Sequence, residues 1–347
     1  MRTRAVPGLA EMIFLDKTRH RGEVVGAMLS LATLGRPYLD ETVSARGGAR
    51  VRIMERPGRW MPPPALDALV ADLQRVVRVA TPVGSLDYGV ASGDRDRLDS
   101  AVVTIVYDEA GTPVAFNALT LIPCELRGRP VDVLHLGLVM VDPAHRAGGL
   151  SGVLYGLTAF LLFARNRLRP LWVSSVTQVP AVFGMVGEAF DSVYPTSDPS
   201  CRQSYDHLHL ARQIMARHRH VFGVGDEAEY DEARAIIRNA YTGGSDNLRK
   251  SFDEAPKHRH DIHNETCRAV LDYDRGDDFL QLGQVTLRAA RTYFTRSASD
   301  LSPVALALRF SLLALEALVA PVIQWFAADT PMGDLRPALP SPHRSAR

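Results

Sequence analysis

The chain has 347 residues, which at roughly 150 residues per domain suits one domain with terminal additions or two domains. Hydrophobic residues make up 46% of the chain and charged residues 23%, so there is enough apolar area for a core and wholesale disorder is excluded. The 40 basic and 39 acidic side chains leave a net charge of +1, which argues against nucleic-acid binding.

The cysteines and the N-terminal segment indicate the compartment. Cys124, Cys201 and Cys267 are odd in number and far apart, which is typical of a reducing environment. The first apolar stretch is interrupted by charged residues such as Glu11 and Asp16, so it does not have the pattern of a signal peptide. We therefore expect a cytoplasmic protein.

The first third of the chain is predicted to contain an irregular or helical extension, a turn-rich stretch and one amphipathic helix. Residues 1–50 have the pattern of an N-terminal extension, in which apolar positions from Gly8 to Leu34 have helix-like spacing. Apolar residues from Leu66 to Val77 recur at the i, i+3 and i+4 positions of an amphipathic helix. Two further regions are predicted after the extension, at residues 51–200 and 201–347.

From Asp99 the hydrophobic pattern becomes that of strands. A β-branched run covers 101–107, and two further runs cover 114–122 and 131–141, with turn residues between them. Short connections between successive strands predict a three-stranded antiparallel meander.

After the meander, helices and a strand alternate. A long apolar helix is predicted over 149–165, a strand over 171–176 and a second helix over 179–190. A meander followed by these elements predicts a mixed α/β (α+β) sheet for residues 51–200.

Beyond residue 200 the sequence becomes more polar, and we predict a mainly helical C-terminal region over 201–347. Helices are expected over 208–222 and 227–241, a charged loop over 246–259 and a late strand over 279–285.

The most apolar segment, 304–328, is long enough to span a bilayer. Arg309 and Glu316 argue against a span, because a charge near mid-span costs roughly 3 kcal/mol. Three alternatives stay open: a buried or dimer-forming helix, an interfacial helix that docks on a membrane, and a true span. A homodimer and peripheral membrane contact through 304–328 are thus both partner hypotheses.

The most informative stretch runs from His135 to Leu154, where a strand passes through small residues into a helix. Glycines there let a ligand approach the backbone closely. The first amides of a helix, together with its dipole, favour an anion such as a diphosphate. The spacing fits neither the P-loop nor the dinucleotide-binding fingerprint.

Within this stretch, Val141-Asp142-Pro143 is followed by Arg146-x-x-Gly149-x-Ser151. This resembles the coenzyme A loop of the GNAT superfamily of acyl-CoA-dependent N-acetyltransferases, whose pattern is Arg/Gln-x-x-Gly-x-Gly/Ala. Ser151 departs from it by a small-for-small change. The order of elements over residues 50–195 is also similar to that of the family, which implies a GNAT-like fold.

The resemblance implies acetyl-CoA or a longer acyl-CoA as the acyl donor. A small-molecule or peptide amine would attack the thioester directly in a ternary complex. The strand before the loop would carry a bulge, near which a main-chain amide stabilises the oxyanion. The implied cofactor-binding residues are Val139, Met140, Val141, Arg146, Ala147, Gly148, Gly149, Leu150, Ser151 and Gly152.

The residues that would transfer protons do not match the family's usual ones. The glutamate that often serves the family as a base corresponds to Gly137, so His135, on the same face of a regular strand, is the predicted catalytic base. A lone histidine in an apolar strand is, however, more often a core residue. The tyrosine that usually serves the family as general acid corresponds to Met185. Tyr155 and Tyr194 are near in sequence, but nothing in the sequence favours either as its replacement.

These features predict an N-acyltransferase. The alternative is a non-catalytic acyl-CoA-binding or scaffold protein. It is favoured because Gly137 replaces the expected base and Met185 replaces the expected acid.

Metal-capable side chains occur in His258-x-His260-x-x-His263-x-x-x-Cys267. The segment lies among charged residues and lacks a second cluster at zinc-finger spacing. We therefore predict a solvated polar loop and no metal.

Overall fold

A computed structural model describes residues 38–44, 49–81, 89–92, 94–148, 150–166 and 168–296, together with single positions between 311 and 326. These residues form a mixed α/β fold around a 10-stranded, mostly antiparallel sheet. The irregular or helical segment predicted between Gly8 and Leu34 lies outside the described residues.

The strands pair in the order β1-β2-β3-β4-β5-β6-β10-β9-β8, and β7 pairs with β10. The contact between β5 and β6 is parallel, and the other pairs are antiparallel. The strands are β1 (Asp40–Ser44), β2 (Arg50–Glu55), β3 (Ala101–Tyr107), β4 (Pro113–Leu126), β5 (Arg129–Val141), β6 (Leu171–Thr177), β7 (Asp191–Tyr194), β8 (Glu229–Asp231), β9 (Ile236–Arg238) and β10 (Asp278–Val285).

The described α-helices are α1 (Pro63–Ala80), α2 (Arg95–Leu98), α3 (Leu150–Arg165), α4 (Pro180–Ala189), α5 (Tyr205–Arg217), α6 (Asp261–Val270) and α7 (Leu287–Arg296). The predicted amphipathic helix is confirmed as α1, and its apolar stripe is buried. The predicted meander is confirmed as β3–β5, and the elements after it as α3, β6 and α4.

The sheet is covered on both faces. Successive residues of β3 point to opposite sides: Val102 and Val106 share a core with α3, whereas Val103 and Ile105 share one with α1. All four side chains are fully buried. Burial on both faces explains why the sequence of β3 is a continuous apolar run rather than an alternating one.

Buried polar contacts fix α3 on the sheet. The hydroxyl of Thr158 lies 2.6 Å from that of Thr104 on β3, and it also donates to the Leu154 carbonyl at 2.8 Å. The Asn117 amide on β4 donates to Thr158 at 3.3 Å. At the end of α3, Arg165 forms a buried ion pair with Glu55 of β2 at 3.0 Å.

The C-terminal region contributes strands to the same sheet. The late strand is confirmed as β10, which pairs with β6 along its length. The helix predicted over 227–241 is wrong, because β8 and β9 occupy this segment. Ile236 and Ile237 are both buried, in two different clusters, as the alternating side chains of a strand require.

Two further predictions for this region have clear outcomes. The predicted helix over 208–222 is confirmed as α5 and a following 3-10 turn over Arg219–Phe222. The polar loop predicted around His258 is wrong in its second half, because α6 begins at Asp261 and buries His263 and Cys267.

No described helix is both long and apolar enough to cross a bilayer. Most of the segment 304–328 lies outside the described residues. At described helical positions within it, Leu315, Leu318, Val322, Trp325 and Phe326 are exposed. Its role as a dimer-forming or membrane-docking helix stays a prediction.

Candidate active site

The parallel strands β5 and β6 part in the middle of the sheet. They pair from Val133–Trp172 to His135–Ser174, and then the pairing ends. Both strands continue, β5 to Val141 and β6 to Thr177, where β6 is still paired with β10 on its other side. Among the described residues, no strand pairs with this edge of β5 after His135, so a gap opens between the two strands.

A β-bulge marks the point where the strands part. Ala118 of β4 lies opposite Leu138 and Thr120 lies opposite His135, so one residue of β4 faces two residues of β5, Leu136 and Gly137. A Cβ atom at Gly137 would lie 2.6 Å from the Ala118 carbonyl oxygen, and glycine is therefore required here. The family resemblance had implied a glutamate at this position, and the close approach leaves no room for one.

The bulge sets which main-chain groups of β5 face the gap. The Asp142 amide donates to the Val114 carbonyl at 2.9 Å, so this pair is hydrogen-bonded between β4 and β5. In an antiparallel ladder such pairs alternate with non-hydrogen-bonded ones, which places Val139, opposite Asn117, in the second class. Its N–H and C=O groups therefore point away from β4, towards the gap.

The segment after β5 is more ordered than an open glycine loop. Residues Pro143–Gly148 form a 3-10 helix that leads to α3, and Pro143 and Ala144 are exposed. The Ala144 amide donates to the Asp142 carboxylate and the His145 amide to the Asp142 carbonyl, both at 2.8 Å. Bonds from each N–H to the carbonyl three residues earlier engage the amides of a 3-10 helix internally.

Of the described residues predicted over 146–152 to bind an anion, only those in the first turn of α3 therefore have amides without a partner inside a helix. Leu150, Ser151 and Gly152 form the first turn of α3, where amides have no acceptor within the helix. Gly149 and the side chains of 146–153 lie outside the described part of the chain. The assignment of this segment to a diphosphate stays a prediction.

His135 lies in the interior. Its side chain is 3% exposed, its Nδ1 atom is 3.1 Å from the Ser174 hydroxyl, and its ring is 5.2 Å from that of Phe222. Burial lowers the pKa of His135 to about 4, so the ring is neutral at physiological pH. His135 is therefore in the protonation state of a base, but it accepts a proton weakly.

The buried His135 should make the protein acid-sensitive. Its pKa is about 4 in the folded state and near 6.5 in the unfolded state, so the unfolded state binds more protons between these values and stability falls as pH falls. Between pH 7 and 4.5 we expect a loss of about 2 kcal/mol from this residue. Urea unfolding of wild type and His135→Gln at both pH values measures it, and an equal pH-dependent loss in both proteins would contradict it.

The tyrosines differ in their relation to the gap. Tyr155 of α3 donates its hydroxyl hydrogen to the Gly137 carbonyl at 2.8 Å and so contacts the bulge. Tyr194 of β7 instead donates to the Ala233 carbonyl at 2.8 Å. Met185, at the position where the resemblance implies an acidic tyrosine, packs half-buried against the core beside α3 and has no proton to donate.

Sequence reasoning missed Gln178, which directly follows β6. Its side chain is fully buried, and neither atom of its amide has a hydrogen-bond partner. A buried amide without partners is costly in a folded protein unless a bound group satisfies it. No spacing or motif in the sequence distinguishes Gln178 from other glutamines, so only the fold identifies it.

Comparisons of the chain with models of known protein families and with curated proteins found no match.

Proposed function

We propose that the protein is an acyl-CoA-dependent N-acyltransferase with a GNAT-like fold. The observation that carries the proposal is the parting of β5 and β6 at a bulge in β5, beside the helix α3 that follows the glycine-containing segment. A gap between two strands of one sheet offers unpaired main-chain groups to an extended ligand, and the pantetheine arm of coenzyme A is such a ligand.

Anion binding would hold the other end of the donor. The first turn of α3 presents amides at the positive end of a helix dipole, which favours the diphosphate of coenzyme A. This turn follows β5 after the 3-10 helix Pro143–Gly148, so the two ends of one donor could be held by consecutive segments of the chain.

The chemistry requires a neutral amine, an oxyanion donor and proton transfers. The amine nitrogen attacks the thioester carbon, and the carbonyl oxygen becomes an oxyanion that the Val139 N–H stabilises. The nitrogen, now bonded to the carbonyl carbon, then loses a proton. The oxyanion re-forms the C=O bond as the C–S bond breaks, and coenzyme A leaves as its thiolate, which takes up a proton. After attack the nitrogen is strongly acidic, so water or the weakly basic His135 suffices as acceptor.

The alternative of a non-catalytic acyl-CoA-binding or scaffold protein has specific support. His135 is buried, and Met185 stands where a proton donor was expected. The Tyr155 hydroxyl contacts the bulge, but it donates its hydrogen to the Gly137 carbonyl.

A thiol-release assay distinguishes the two functions. Purified protein is incubated with acetyl-CoA or palmitoyl-CoA across a panel of small-molecule and peptide amines, and free coenzyme A is measured. We expect amine-dependent release with one of the two donors, which also assigns the chain length. Saturable binding of both donors with no release on any acceptor would instead support the non-catalytic function.

A further inference from the structure

Three histidines surround one carboxylate oxygen at the edge of α4. The Nε2 atoms of His258, His260 and His263 lie 3.7, 3.7 and 3.6 Å from Oε1 of Glu188. These separations are too long for hydrogen bonds. Three histidine nitrogens thus lie near one carboxylate oxygen without a hydrogen bond to it.

The separations suit a shared metal ion. Zinc with bonds of roughly 2.0–2.1 Å in tetrahedral geometry holds neighbouring ligand atoms roughly 3.3 Å apart. One ligand atom each from Glu188, His258 and His263 lie within 4.8 Å of one another, so a small contraction would complete the arrangement. Imidazole nitrogen with carboxylate oxygen is a ligand set that zinc accepts.

The helix α4 is shaped for the two inner histidines. A Cβ atom at Gly184, one turn before Glu188, would lie 2.7 Å from the His258 ring and 2.8 Å from the His263 ring. The rings meet edge to face with centroids 4.5 Å apart. Their side chains are only 8% and 10% exposed, so the rings have little freedom to move.

Hydrogen bonds from neighbouring side chains orient the histidines, as they commonly do for the ligands of a metal ion. The Ser197 hydroxyl lies 2.6 Å from Nδ1 of His263, which fixes that ring and directs its Nε2 towards Glu188. The Asn264 side chain accepts from the His258 amide at 2.8 Å and donates to the His258 carbonyl at 3.0 Å. The segment before α6 is thereby held in place.

Three existing contacts oppose metal binding. Nε2 of His260 accepts a hydrogen bond from Nε of Arg259 at 3.1 Å, and coordination through this atom requires that the bond break. Arg259 pairs with Oε2 of Glu188 at 2.5 Å, which leaves Oε1 available. The His260 amide donates to Nδ1 of His258 at 3.1 Å, so a neutral His258 carries its proton on Nε2. Coordination through Nε2 moves this proton to Nδ1 and replaces the hydrogen bond.

We propose that Glu188, His258 and His263 bind one zinc ion, with the more exposed His260 as the fourth ligand. The ion would join α4 to α6 and to the segment before α6, and so stabilise this part of the fold. This site is separate from the proposed acyl transfer and does not depend on it. Cys267, one turn after His263, is buried in an apolar cluster and is not a ligand.

Calorimetric titration of the metal-free full chain with zinc chloride tests the proposal. We expect wild type to bind one ion, and Glu188→Gln and His263→Ala to bind it at least about tenfold more weakly, since even outer-shell changes cost 10–100-fold. The double variant His218→Ala/His220→Ala is the control. It removes two histidines that lie close to each other but are not among the proposed ligands, and it should bind zinc like wild type.

Two further measurements make the test independent of folding. Zinc should raise the melting temperature of wild type but not of Glu188→Gln, whose side chain is partly exposed and is not needed for the core. Cobalt(II) should give a tetrahedral visible spectrum that is lost in Glu188→Gln. Equal zinc affinity in wild type and Glu188→Gln, or no binding by wild type, would overturn the proposal.

Discussion

Replacing Val139 with proline should lower kcat about 10²–10³-fold with the amine that supports turnover, because proline removes the amide proposed to stabilise the oxyanion. Val139 lies in a non-hydrogen-bonded pair with Asn117, so proline removes no bond to β4. The residue before a proline is restricted to extended conformations, which Leu138 already has in β5.

Val139→Ala is the matched control, since it shortens the side chain but keeps the N–H group. We expect its kcat to stay within a few-fold of wild type. Circular dichroism and thermal unfolding establish that both variants are folded. A folded Val139→Pro protein with wild-type kcat would show that the Val139 amide does not stabilise the transition state.

Replacing Arg165 with methionine should destabilise the fold by about 3–5 kcal/mol. Glu55 is fully buried and Arg165 is 3% exposed, and removal of one partner leaves an uncompensated charge in the interior. Glu55 also accepts the Leu39 amide at 2.9 Å, so its carboxylate connects β2 both to the segment before β1 and to the end of α3. Urea unfolding at pH 7 measures the loss.

The double variant Glu55→Gln/Arg165→Met separates the charge from the packing. Glutamine keeps an oxygen for the Leu39 amide and carries no charge, so the double variant should recover most of the lost stability. If Arg165→Met alone is as stable as wild type, the ion pair does not hold the end of α3 to β2.

The elements that sequence analysis predicted well are those with local signals. Strand β3 is a run of β-branched residues that is buried on both faces, and β4 and β5 are apolar runs separated from it and from each other by turn residues. Helix α1 has a one-sided apolar stripe, from Leu66 to Val77, that matches the helical period. These hydrophobic patterns are formed by residues close together in the chain, so a single sequence is enough to show them.

The missed elements depend on partners far away in the chain. β8 and β9 are three residues long, and the pairing of Ile236 and Ile237 with β10 joins positions about 40 residues apart. Helix α6 is mostly polar, and only His263 and Cys267 are buried in it, so its apolar pattern was too weak to predict a helix.

In the candidate site, too, the features with a local signal could be predicted and those that depend on distant partners could not. The resemblance placed a coenzyme A loop after β5, at Val141-Asp142-Pro143 and the glycines that follow, and this assignment stays a prediction. It also implied a bulge in β5, which the structure has. The gap opposite the bulge could not be predicted, because it depends on where β6 leaves β5. The histidine cluster was visible in the sequence, but its carboxylate comes from Glu188, 70 residues before His258.

Calorimetric titration with coenzyme A and with its acetyl and palmitoyl thioesters tests the central claim most directly. The account predicts saturable binding of one donor molecule per chain by wild type and by Val270→Glu, which adds a charge at the exposed end of α6. Gly149→Glu, which places a bulky carboxylate where the diphosphate is proposed to bind, should lose this binding. Unchanged affinity in Gly149→Glu, or no binding by wild type, would contradict the account.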